Sequence, residues 1–158
     1  MGSRNNSINQ CAVQDVTLTK VVTADDLTNT GVASTQTISL FEIPADGIVE
    51  KVGYYLKTAF DGASSSALTV IAGDDSDADG FLASVSVHAD ATPISSKINT
   101  GLYFNDGTTD NTVNQKVFDA ASTDTIDAVF TPTGDSLSDI DTGEIVFFAK
   151  IVDFSKIS

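Results

Sequence analysis

The sequence predicts an all-β fold, and three observations predict it. Four Asp-Gly pairs punctuate the chain (Asp46-Gly47, Asp61-Gly62, Asp79-Gly80 and Asp106-Gly107), and both residues tolerate the positive φ of tight turns between antiparallel strands. Runs of Val, Ile, Leu, Phe and Thr lie between those pairs, and these side chains suit a pleated, half-buried strand. No stretch shows the apolar recurrence of an amphipathic helix of useful length.

Residues 1–12 read as a polar arm whose apolar anchor is Ile8. The first strand runs from Val13 to Thr23, with Val16, Leu18 and Lys20 on one face, and Ala24 to Ser34 is a polar connection. Gln36 to Ile43 alternates, setting Ile38 and Leu40 against Phe41 and Ile43, and Pro44-Ala45-Asp46-Gly47 closes it as a turn. Ile48 to Phe60 is the clearest strand. There Ile48, Val52, Tyr54, Leu56, Thr58 and Phe60 share one parity, with Lys51, Gly53 and Lys57 opposite.

Asp61 to Ser66 turns the chain into a short strand, Ala67 to Ala72, with Leu68 and Val70 inward. Phe81 to Val87 follows, with Phe81, Ala83, Val85 and Val87 on one parity. The pattern fades from His88 to Ser96 around Pro93, and Leu102 to Phe104 is a short apolar segment. Val113 to Phe118 and Thr125 to Phe130 are further strands, and a Pro132–Gly143 loop leads to the last, Glu144 to Phe154. That strand is apolar on both faces: Ile145, Phe147, Ala149 and Ile151 oppose Val146, Phe148, Val152 and Phe154, with Lys150 interrupting. One face therefore needs a cover, either another subunit or a long loop.

About eight short strands with regular turns and no fixed-period repeat indicate an antiparallel β-sandwich of jelly-roll type. Residues 13–158 form one such domain behind the arm, long enough to bury about 68–70% of its unfolded surface. The lone Cys11 cannot form an intramolecular disulfide, and with only His88 beside it no zinc set exists.

The net charge is −14, and the eight Lys and Arg are scattered singly. No basic stripe can neutralise phosphates, so direct nucleic-acid binding is not expected. No segment approaches the ~20 apolar residues of a membrane helix, so no membrane partner is expected. Met1 to Gln10 has no apolar stretch of the secretory-signal kind.

The sharpest local motif is Asp75-Ser76-Asp77-Ala78-Asp79-Gly80, the opening of a calcium loop. Alternate carboxylates at Asp75, Asp77 and Asp79 can point at one hard cation, and the Gly permits the sharp turn that follows. Position twelve is Ser86, where a bidentate Glu belongs, so Asp74 or backbone carbonyls would have to complete the shell. The alternative is an Asp-rich hairpin tip with no ion, and no cofactor is otherwise implied.

Catalytic signatures are missing. His88 is the single imidazole, expected exposed at a strand end, and no G-x-S-x-G elbow presents a serine. Glutamates occur only at 42, 50 and 144, and there is no Trp to stack on a sugar. An enzyme is not expected.

Asp46 to Phe60, Leu68 to Asp75, Asp79-Gly-Phe-Leu82 and Thr142 to Ala149 resemble segments of small virion proteins of tailed bacteriophages, including head decoration (cement) proteins. The likeness covers about two thirds of the chain, from Asp46 onward. It implies a non-enzymatic, jelly-roll-like homotrimer, assembled in the host cytoplasm, that binds the major capsid protein on the outer head surface of the virion. It also implies an N-terminal grappling arm, which falls on residues 1–12 with Arg4 and Ile8 as its contact residues. Two other functions stay open: a phage tail or fibre component that binds a host-surface receptor, and a calcium-dependent β-sandwich binding module.

Overall fold

The computed structural model describes residues 14–62, 65–104, 116–118 and 123–154. Among them the chain forms β1 (Gln14–Thr23), β2 (Gln36–Ile43), β3 (Gly47–Asp61), β4 (Ala67–Gly73), β5 (Leu82–Ser86), β6 (Ser96–Ile98), β7 (Lys116–Val117), β8 (Asp124–Thr133) and β9 (Thr142–Asp153). The first sheet runs β1-β9-β3-β6, with β7 beside β3, and the second runs β2-β8-β4-β5. All pairings between these strands are antiparallel. Only β4 and β5 are both consecutive in the chain and paired with each other. With two-residue β7 set aside, this is the double Greek-key order of a jelly roll, so the expected sandwich is the observed one.

Seven strands follow expected segments; β6 was not expected, the expected Val113–Phe118 strand is described only from Lys116, and parity breaks where bulges intervene. In β2 the register shifts between Ser39 and Phe41, so Leu40 and Phe41 are both buried rather than facing opposite ways. In β3 a shift between Val49 and Lys51 puts Val49 in the core and leaves Ile48 half-buried, contrary to the single parity set. Further shifts around Thr58 turn that side chain outward while Phe60 stays buried. A bulge adds one unpaired residue, and a one-residue slip exchanges the two faces.

Other boundaries move as well. Phe81 to Val87 contracts to β5; Phe81, just ahead of it, donates its N–H to the Ala72 carbonyl of β4 at 3.0 Å and packs its ring against Tyr103 at a centroid distance of 5.0 Å. The short apolar segment Leu102 to Phe104 is a turn that buries Phe104 under Phe81. The polar connections each carry an apolar plug: Leu27 follows a 3-10 turn at Ala24–Asp26, and Leu137 opens another at Leu137–Asp139 that Ile140 follows.

Between the sheets an aromatic row ties the layers together. Phe60 meets Phe130 at 6.0 Å, Phe130 meets Phe147 edge-on at 6.3 Å, and Phe147 meets Tyr54 at 6.4 Å. Tilted and edge-on pairs are the preferred geometries for buried rings. Gly143 lets the row end cleanly: its φ is +140°, and a Cβ there would strike the Phe60 ring. At the β1 edge Lys20 points inward and donates to the Ser39 carbonyl of β2 at 2.6 Å, joining the two sheets where both are open.

Candidate functional site

Three regions of the sandwich carry chemistry worth weighing: a hairpin tip, a cleft between sheet edges, and one outer sheet face.

The tip is the β4–β5 turn, where the carboxylate motif was read. Its organiser is Asp74, a residue outside the expected triad. Asp74 is buried, and its Oδ1 accepts from the Ser76 and Asp77 backbone N–H groups, each at 2.9 Å, and from the Tyr103 hydroxyl at 2.6 Å. Gly73 permits the fold-back, since a Cβ there would collide with the Asp77 carbonyl. Burial first, then the hydrogen bond to Asp74 and the charges of Asp74, Asp77 and Asp124, push the Tyr103 phenol well above its ordinary value.

The expected ligands do not converge. Asp75 is exposed and turned to the neighbouring cleft, while Asp77 and Asp79 lie half-exposed beside each other. A hydrogen bond with Asp77, followed by desolvation and the Asp77 charge, holds the Asp79 carboxyl above the usual range. Among the described residues no three His, Cys, Asp or Glu side chains gather closely enough to hold a metal ion. Thermal unfolding in millimolar calcium and in EDTA is therefore expected to give the same midpoint. A calcium-dependent rise that Asp75→Ala abolishes would establish the ion after all.

The cleft, about 600 Å³, opens between the β1/β9 and β2/β8 edges. Its apolar floor includes Leu18, Ile43 and Ile151, and Glu42, Asp75, Asp124 and Asp153 carry its charge, with no Lys or Arg in the lining. The arrangement disfavours anions, and its lining includes no Ser, Cys or His.

His88 corrects the expectation of an exposed strand end: it is fully buried. The backbone explains why. Phe60 donates to the Val87 carbonyl and Ala89 donates to the Phe60 carbonyl, both at 2.9 Å, clamping this segment against the end of β3. His88 Nδ1 accepts the Asp90 N–H at 3.1 Å, which places the ring proton of the neutral imidazole on Nε2. Nε2 is buried and has no hydrogen-bond partner among the described residues, so no serine or cysteine there is paired with a base.

The outer face of the first sheet is the region that sequence reasoning reached only through its last strand. β9 is central, so its outward side chains lie between those of β1 and β3. Register aligns Val21, Val146 and Tyr55 in one row and Thr19, Phe148, Gly53 and Ile98 in the next. Phe148 lies over Gly53, where a Cβ would meet its ring. Val21, Tyr55 and Ile98 are about half exposed, at 49%, 55% and 48%, with Ile94 at the rim. Of the large apolar side chains most exposed among the described residues, only Val32 and Leu102 lie elsewhere. Lys57 pairs with Glu144 at 2.9 Å at one end of the face, and Lys150 pairs with Glu50 at 2.7 Å toward the other, beside Lys51.

Arg4 and Ile8 lie outside the described residues, as do Cys11 and Asp106-Gly107.

No protein-family description matches this chain, and no curated protein sequence matches it. Solved structures do match its fold. A chain of the cyanophage Pam1 capsid asymmetric unit superposes with a TM-score of 0.57 at 15% identity, covering 89% of this chain and 85% of that one. A chain of the acidic stable capsid of Helicobacter pylori bacteriophage KHP30 superposes with a TM-score of 0.55 at 11% identity, covering 91% and 92%. The fold is thus one found in phage capsids, shared over nearly the full length of both neighbours.

Proposed function

We propose that this chain is a non-enzymatic virion structural protein of a tailed bacteriophage, a decoration (cement) protein on the outer head surface. The observation that carries this reading is the near-complete overlap of its fold with chains of two phage capsid structures.

In this reading the protein forms a homotrimer in the host cytoplasm and docks on the major capsid protein. Arg4 and Ile8 of the N-terminal arm reach a neighbouring subunit. The mechanism is linkage: a ligand that binds the intact shell and not the ruptured one stabilises the shell in proportion to its occupancy and affinity. The acidic body, at −14, suits a protein that does not touch packaged nucleic acid.

Quantitative mass spectrometry of purified particles is expected to find copy numbers commensurate with the capsid lattice. Particles assembled without the protein are expected to rupture at lower temperature. A handful of copies confined to the tail, with rupture unchanged, overturns the cement role and supports the receptor-binding reading instead.

A further inference from the structure

Among the described side chains, the outer face of the first sheet carries both signs of charge in near-equal number. The described face carries Lys51, Lys57 and Lys150 against Glu50 and Glu144, on a chain whose net charge is −14. Two copies approaching by any strongly acidic surface repel each other, and the repulsion is least where both signs are present in near-equal number. Here the neutral surface coincides with the exposed apolar rows of Val21, Val146 and Tyr55 and of Phe148 and Ile98. An apolar centre rimmed by paired charges, with a tyrosine at its middle, is the anatomy of a protein–protein contact.

We propose that this face is buried against further copies of the same chain and turns toward the axis of the oligomer, a step that rests on the homotrimeric reading above. Charge selects this occupant. A basic partner finds little here and would meet the cleft carboxylates or the Asp74–Asp79 tip instead. An acidic partner finds, among the described side chains, a surplus of a single lysine. A second copy finds Lys57 and Glu144 at one level and Lys150 and Glu50 at another, so each level offers both signs to the same level of its neighbour. The central rows then supply the apolar contact, which also covers the outer side of β9.

Light scattering after size exclusion is expected to give wild type at three times the chain mass. Val146→Glu and Tyr55→Glu, which set a carboxylate in the apolar centre, are expected to elute as monomers where wild type is fully assembled. Thr37→Glu, on the exposed outer side of the second sheet, is expected to leave the assembly intact. Far-UV circular dichroism checks that each variant folds, and half-exposed Tyr55 keeps the test valid should Val146→Glu not fold. A wild type monomeric at all concentrations overturns the copy-to-copy contact while leaving the virion role to the particle experiment. An oligomer that survives both face substitutions, or is lost through Thr37→Glu, overturns this face alone.

Discussion

Phe147→Ala is expected to cost about 3–5 kcal/mol of folding stability, the range for emptying a well-packed aromatic site. In a chain of this size that lowers the unfolding midpoint by roughly 6–20 °C. Phe147 sits on β9, the strand between β1 and β3, and its ring touches Phe130 of the opposite sheet and Tyr54 of its own. Removing it opens a void at the meeting of both layers, where neither sheet can close in without disturbing the β3–β9 ladder. Phe148→Ala, one residue on, faces outward and is half-buried. It is expected to cost much less in the separated chain. Calorimetry on both variants reads the contrast directly; equal losses would mean that the inner and outer faces of β9 are misassigned.

That contrast shows how far the sequence could be read. The period of two along Ile145 to Ile151 separated the two faces of β9, and the structure identifies Ile145, Phe147, Ala149 and Ile151 as the core face. β4 likewise follows its alternation, with Leu68, Val70 and Ala72 all buried. The Pro44 to Gly47 turn closes as expected, its Gly47 N–H donating to the Pro44 carbonyl at 3.0 Å. What escaped were features with no local composition signal. A bulge in β2 or β3 adds one ordinary residue to a strand and can be seen only from the partner's register. Leu27, Leu137 and Ile140 are isolated apolar residues in polar loops, so nothing nearby says that they plug the core. His88 looked like a strand end because its cover comes from β3, nearly thirty residues upstream, a separation no window along the chain detects. The Asp75-Asp77-Asp79 spacing was visible, but it does not include Asp74, the residue on which the turn is built. The stronger local signal was Asp74 ahead of two backbone N–H groups, the Asx-turn arrangement.

Asp74→Ala is the second large effect expected. It leaves the Ser76 and Asp77 N–H groups and the Tyr103 hydroxyl without the acceptor they share. Orphaned donors of this kind cost about 1–3 kcal/mol where water cannot reach them. Because Ser76 is exposed and Asp77 partly so, the combined loss should be about 2–4 kcal/mol, since water replaces part of what is removed. The same cluster predicts the alkaline limit of the fold. The raised phenol of Tyr103 means that the folded state favours the neutral form. The stabilisation it brings is complete below the ordinary tyrosine value of about 10 and is lost as pH rises through the higher folded value. Burial raises Tyr54 in the same direction. Tyr103→Phe should therefore reduce, without abolishing, the fall in stability above pH about 10. Urea midpoints of wild type, Tyr103→Phe, Asp74→Ala and the double variant, taken from neutral to alkaline pH, separate the two contributions. A coupling energy near zero between positions 74 and 103, with an unchanged alkaline slope in Tyr103→Phe, would mean that the tip is held by its own turn and not by the tyrosine that reaches across to it.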